Sequence, residues 1–213
     1  MKKIFGFTLA ETLIVMGIIG VVAALTLPNL NNSTGDKEKV AKVKKIYSNL
    51  QDAFGRVTAV YGPIKDWHKF DGSDMGAKKL GGRLADFLKY SKYCDPDVVG
   101  DCPSINNMSH STRFITADGT LIEIYDGQIW IDIDGKQKGK NSAGKDIFSF
   151  EFTTGDVVPL GLSPGAKATS NCGYYCTQWV IDNENMDYLK ADSTGKCPDG
   201  KTILDGTTNI TCK

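Results

Sequence analysis

Glu11 is the only ionisable residue between Phe7 and Leu27, in a run otherwise made of apolar and small residues. A carboxylate inside a bilayer core costs on the order of 2.5–3.5 kcal/mol by insertion scales, and less near an interface. A charge kept in such a place usually has a partner and a task. The second reactive set is cysteine, at positions 94, 102, 172, 176, 197 and 212, all downstream of the apolar run. An even set on the far side of a membrane segment reads as a disulfide framework in an oxidising compartment. Zinc is the competing reading, but it wants paired C-x-x-C units or nearby histidines. The closest pair is Cys172-Gly-Tyr-Tyr-Cys176, and the only histidines are His68 and His110. The expected pairing is sequential: Cys94–Cys102, Cys172–Cys176 and Cys197–Cys212, each closing a local loop.

Composition narrows the function classes. Lys+Arg and Asp+Glu are both 25, so the formal net charge is zero. That balance gives no support for a nucleic-acid partner. An apolar fraction of 41% with 23 glycines suits a loop-rich globular body, not a disordered chain. No G-x-S-x-G, H-E-x-x-H or P-loop is present, and His68 and His110 have no partner pattern. The reading is therefore non-enzymatic.

Three readings compete for the first thirty residues. A cleaved secretory signal has a shorter apolar region, roughly 7–15 residues, ending at a small-residue site. A plain membrane anchor is oriented correctly by Lys2 and Lys3, which keep the amino terminus cytoplasmic, but it leaves Glu11 unexplained. The third reading rests on Gly6-Phe7-Thr8-Leu9-Ala10-Glu11 behind a short basic leader and before an apolar helix. This arrangement resembles the prepilin peptidase signature of type IV pilins and type II secretion pseudopilins. The resemblance implies cleavage after Gly6, N-methylation of Phe7, and a Glu11 that neutralises the new amino group of Phe7, usually that of a neighbouring subunit. Pairing the two charges removes both penalties at a site that exists only in the assembled array. Gly20 and Pro28 stand where family members often carry helix-weakening residues. Pro28 also serves simply as the membrane exit.

The elements follow from periodicity. Residues 1–6 read as leader and 7–28 as transmembrane assembly helix. Asn29 to Gly35 is polar and turn-prone, so a bend or fraying is expected there. Within 29–61, Val40, Val43, Tyr47, Leu50, Phe54, Val57 and Tyr61 recur at spacings of three and four, one apolar stripe on a helix. Residues 62–111 read as a connecting region. Gly62 to Gly82 is read as loop, Arg83 to Cys94 as a short helix, and Asp95 to Ser111 as a loop clasped by Cys94 and Cys102.

Residues 112–213 hold the sheet and the disulfide-bonded tail. Asp-Gly recurs at 118–119, 126–127 and 134–135 between β-rich runs, which predicts an antiparallel meander. Ile129, Ile131 and Ile133 share the face that meets the helix stripe, and Asp146 to Phe152 is a further strand. Cys176 to Asn183 is read as a strand with Trp179 and Ile181 in the core. A long helix laid across an antiparallel sheet gives an α+β fold.

Asp132, Asp134 and Asp146 bracket a lysine-rich loop, in a pattern that also resembles pseudopilin-like proteins. Some of these bind calcium through loop carboxylates. The three aspartates with Asn141 could begin the roughly six to eight oxygens calcium wants. Against this, Lys136, Lys138, Lys140 and Lys145 oppose a cation. Turn capping by the aspartates is the competing reading.

The resemblance implies a structural subunit of a type IV pilus-like filament or type II secretion pseudopilus. Its partners would be prepilin peptidase, other pilin or pseudopilin subunits and the bacterial inner membrane. The single-pass precursor would place its body in the periplasm or outside. The rivals are a minor tip adhesin that binds a ligand through the carboxy-terminal region, and a membrane-tethered enzyme or receptor.

Overall fold

The computed structural model describes residues 9–68, 74–95, 98, 102–105, 111–125, 127–135, 141–152, 155–161, 172–192 and 194–198; for 23–34 and 74–77 it describes the backbone alone. The chain divides into two compact units, Met1–Glu38 and Lys39–Lys213. Helix α1, Leu9–Tyr61, supplies the described part of the first unit and the opening element of the second. Asn29 to Gly35 is helical, where composition predicts a bend. Strong helix-forming stretches on either side propagate through it, because extending a helix is far easier than nucleating one.

In the second unit, α1 buries Val40, Val43, Leu50, Phe54 and Val57 of the expected stripe. Ile46 and Ala53 join them, while Tyr47 is half-buried and Tyr61 is exposed. The buried side thus sits slightly to one side of the predicted stripe and takes the small Ala53 where the helix meets its neighbours.

The sheet is a six-stranded antiparallel meander in sequence order: β1 Lys92–Cys94, β2 Thr112–Ile115, β3 Leu121–Tyr125, β4 Gln128–Asp132, β5 Ile147–Glu151 and β6 Val158–Pro159. The Asp-Gly turns set the register. Gly119 has φ +84° and Gly127 φ +88°, conformations open to glycine without a Cβ penalty. Arg113 then lies opposite Glu123, and Glu123 opposite Trp130. Ile129, Ile131 and Ile133 join the core with Phe148, Phe150 and Phe152, as the alternation predicts. Tyr47 stacks on Phe150 at 5.4 Å, and Phe54 meets Phe152 at 4.9 Å, so the helix lies on the isoleucine and phenylalanine face. Lys45 of α1 also reaches Asp118 in the β2–β3 turn at 2.9 Å. The Thr116 hydroxyl first, and then Lys45, hold the Asp118 carboxyl well below the usual carboxylate range.

Three local assignments differ from the sequence reading. Residues read as loop between Gly62 and Gly82 contain α2, Ile64–Trp67, and most of α3, Asp74–Ala85. The expected helix over 83–94 instead divides between the end of α3 and edge strand β1. Leu80 and Leu84, four apart, are fully buried. Gly81 persists inside α3 because a Cβ there would collide with the Thr112 side chain: it permits close approach to β2 and does not break the helix. The predicted strand over 176–183 is a helix, α4, Thr177–Asn183. Its buried residues Thr177, Trp179 and Val180 follow helical spacing after Cys176, while Ile181 is only partly buried.

Candidate functional site

From Leu9 to Val22, α1 exposes apolar side chains all round: Leu9 is 80% exposed, Met16 68% and Val21 62%. A helix apolar on every side ordinarily belongs in lipid or among other helices. Glu11, in its first turn, is exposed. Thr12 donates its hydroxyl to the Leu9 carbonyl at 3.0 Å, so this polar group needs no water. A Cβ at Gly17 or Gly20 would meet nothing within 4 Å. Around Gly17, the side chains of Ile14, Ile18, Val21 and Val22 leave a shallow apolar depression on the helix. Pro28 lies within the bounds of α1. Gly6 and Phe7, the expected cleavage and methylation residues, lie outside the described residues. Among the described residues, no helix is long and apolar enough to cross a membrane. The described side chains of the apolar run end at Val22, before the sequence run closes at Leu27.

The disulfide framework is present. Cys94–Cys102 and Cys172–Cys176 are bonded, with Cα separations of 5.9 and 5.6 Å. Cys197 is disulfide-bonded too. Its expected partner, Cys212, lies outside the described residues. The Cys172–Cys176 bridge encloses the 3-10 turn Gly173–Cys176, which leads directly into α4. Thr177 then accepts the Ser149 N–H at 3.0 Å and donates to the Tyr174 carbonyl at 2.7 Å, which ties the bridge to β5.

The Cys94–Cys102 loop is anchored by a residue that the sequence reading missed. Glu123 is fully buried on the sheet face away from α1. Its carboxylate accepts from the Ser104 hydroxyl and the Ile105 N–H, both at 2.8 Å, from the Ser111 hydroxyl, and from Arg113 Nε at 3.1 Å. Arg113 also donates to the Cys102 carbonyl at 3.1 Å. One acid thus ties Ser104 and Ile105, just past the disulfide loop, to β2 and β3, and Arg113 carries the tie to Cys102 itself. The available signal was a lone glutamate in the apolar strand "LIEIY", opposite Arg113 once the Asp118-Gly119 turn fixes the register.

Asp132, Asp134 and Asp146 come together at the end of β4. Asp132 is fully buried. Its Oδ1 accepts the N–H groups of Asp134 at 3.3 Å and Gly135 at 3.0 Å, while its buried Oδ2 has no hydrogen-bond partner among the described residues. Burial first, and then the neighbouring Asp134 carboxyl, push Asp132 up to about 6. Asp146 accepts the Ser142 N–H at 2.6 Å, and its backbone carbonyl accepts from Ile133. Burial also raises the Asp146 carboxyl. Asp132 and Asp146 therefore cap the turn. Among the described residues, no group of three or more His, Cys, Asp or Glu is placed to hold a metal ion. Lys136, Lys138 and Lys140 lie outside the described residues.

A pH dependence follows from Asp132. Its pKa in the fold lies above that of the unfolded chain, so the native state binds more protons between about pH 4 and pH 6. Its contribution to stability is greatest below about pH 4 and is lost as pH rises through about 6. The stability difference between wild type and Asp132→Asn should therefore shift against wild type by on the order of 1–3 kcal/mol between pH 4 and 7. Urea unfolding at both pH values checks this, and a flat difference would refute it.

Compared with known protein families, curated proteins and solved structures, the chain matches none of them.

Proposed function

We propose that this protein is a structural subunit of a pilin-like or pseudopilin-like filament, made as a single-pass inner-membrane precursor and processed by prepilin peptidase. The observation that carries the reading is the segment Leu9–Val22: a helix exposing apolar side chains on all sides, with one carboxylate in its first turn. The body from Lys39 onward has a core and disulfides of its own, so it does not need this segment to fold. The segment is then free to work between molecules.

The proposed mechanism is charge pairing in an apolar array. Cleavage after Gly6 creates an ammonium on Phe7, at the start of a run that continues to Leu27. Left alone in lipid, that ammonium and the Glu11 carboxylate each carry a desolvation cost. Stacking one subunit beside another brings the ammonium of one to the carboxylate of the next and offsets both costs. Gly17 and Gly20 let a neighbouring helix approach closely, as small residues do in packed membrane helices. The work is mechanical and interactive, without a catalytic step.

Processing gives the first test. Intact-mass measurement of the mature protein should show residues 1–6 missing and one methyl added at Phe7. Loss of Lys2 and Lys3 leaves the mature chain mildly acidic. Recovery of only the full-length chain from cells with an active prepilin peptidase would overturn the reading.

A further inference from the structure

Arg83, near the end of α3, is a charge held in place by rings and not by a counter-charge. Its guanidinium carbon lies 4.3 Å from the centre of the Tyr61 ring and 4.1 Å from that of Trp67. The two rings meet edge to face at 6.4 Å, and the Trp67 indole N–H donates to the Gly62 carbonyl at 3.1 Å, which fixes the cradle. Lys79 stands four residues before Arg83, on the same side of α3. Its ammonium donates to the Trp67 carbonyl at 3.2 Å. Two cations therefore converge on one tryptophan.

Neither cation has a carboxylate partner among the described residues. Lys44, Lys45, Arg56, Arg113 and Lys190 each form an ion pair, whereas Lys79 and Arg83 form none. Asp66, next to Trp67 in sequence, is exposed and pairs with neither. Arg83 Nη1 is shut from solvent and has no acceptor. Nε and Nη2 also lack an acceptor but are not shut off, so these two donors of the half-buried side chain keep accessible surface. The end of α1 adds apolar surface here: Tyr61 is 39% exposed and Val60 62%.

We infer that this corner of the body binds an acidic segment of another protein, one that presents a glutamate or aspartate carboxylate next to an apolar side chain. The carboxylate takes the Nε and Nη2 donors as a pair, the fork that suits a guanidinium. Lys79, with two of its three donors left, adds the second positive charge. The apolar neighbour lies on Val60 and the exposed part of Tyr61. Trp, Tyr and Arg are the residue types that dominate binding energy at protein interfaces, and a guanidinium already fixed by its rings loses little freedom on binding. The zero net charge of the chain speaks against nucleic acid as the anion. All these residues belong to the unit from Lys39 onward, so the site is independent of the assembly reading.

The test is calorimetric titration of the full-length protein in detergent. The probes are the peptide acetyl-Val-Glu-Glu-Leu-amide, its glutamine counterpart acetyl-Val-Gln-Gln-Leu-amide, and inorganic phosphate. The acidic peptide should bind, the glutamine peptide should bind at least about tenfold more weakly, and phosphate should not compete. Arg83→Lys keeps the charge but loses the fork, and should weaken acidic-peptide binding about fivefold. Lys79→Gln, at an exposed position, should weaken it about threefold, the scale of an exposed charge pair. Lys89→Gln removes an equal charge at another exposed position and should leave binding unchanged. Circular dichroism of each variant should match wild type. Absence of acidic-peptide binding, equal binding of the two peptides, competition by phosphate, or losses in Arg83→Lys and Lys79→Gln no larger than in Lys89→Gln would overturn the inference.

Discussion

Replacing Glu123 with alanine should destabilise the folded body by about 3–5 kcal/mol, the range for breaking a buried ion pair by removing one partner. Glu123 is fully buried and the Arg113 side chain only 14% exposed. The substitution removes at once the acceptor shared by the Arg113 guanidinium, two serine hydroxyls and the Ile105 N–H, and leaves the arginine its bond to the Cys102 carbonyl. Ser104→Ala removes a single neutral donor and should cost only about 1 kcal/mol. Urea unfolding of full-length protein, followed by the fluorescence of buried Trp130 and Trp179, measures both. A Glu123→Ala loss below about 1 kcal/mol would mean that the loop is not held by this network.

Glu11→Leu should have the opposite profile. Glu11 belongs to the unit Met1–Glu38, and the sheet and the cysteines belong to the other unit. The body should fold and its disulfides should form. Membrane insertion should become easier, because a charge costing on the order of 2.5–3.5 kcal/mol at mid-helix, and less near the edge, is gone. Assembly should fail, because the Phe7 ammonium of the adjoining subunit loses its partner and stays charged among packed helices. We expect the ratio of filament to membrane subunit to fall at least about tenfold, the effect of roughly 1.4 kcal/mol per contact. Quantitative blotting of sheared filaments and membranes measures it. An unchanged ratio would remove Glu11 from assembly.

The meander was legible because its signals are local: glycine-bearing turns and strict alternation fix both the register and the face of each strand. The helix stripe was legible for a similar reason, and the two short-range disulfides because each closes a small loop. Other features were harder to read. The β-branched and aromatic residues of "TQWVIDN" favour a strand, yet the Cys172–Cys176 bridge starts a helical turn just before them, and tertiary context overrides propensity. The glycines of "LGGRLA" look like loop residues, but Gly81 is there for helix-on-strand packing. The second face of the sheet was the larger omission. Trp130, Asp132 and Glu123 lie on the face opposite the isoleucines, for which the sequence reading named no cover, and all are buried. Glu123 is held by a network with Ser104, Ile105 and Ser111, residues outside the strands whose positions no periodicity encodes. The sequence left the three aspartates open between cation ligands and turn caps; which carboxylate accepts which backbone N–H, Asp132 from Asp134 and Gly135 and Asp146 from Ser142, depends on hydrogen-bond geometry.

The central claim is that the apolar segment serves an assembly of many copies. Cryo-imaging of filaments sheared from cells, with gold-labelled antibody against the folded body of this protein, tests it most directly. The account predicts label along or at the tip of filaments whose interior is a bundle of apolar helices, with the label lost from filaments in Glu11→Leu cells. Mature protein found only as dispersed membrane molecules, in cells that do make filaments, would contradict it.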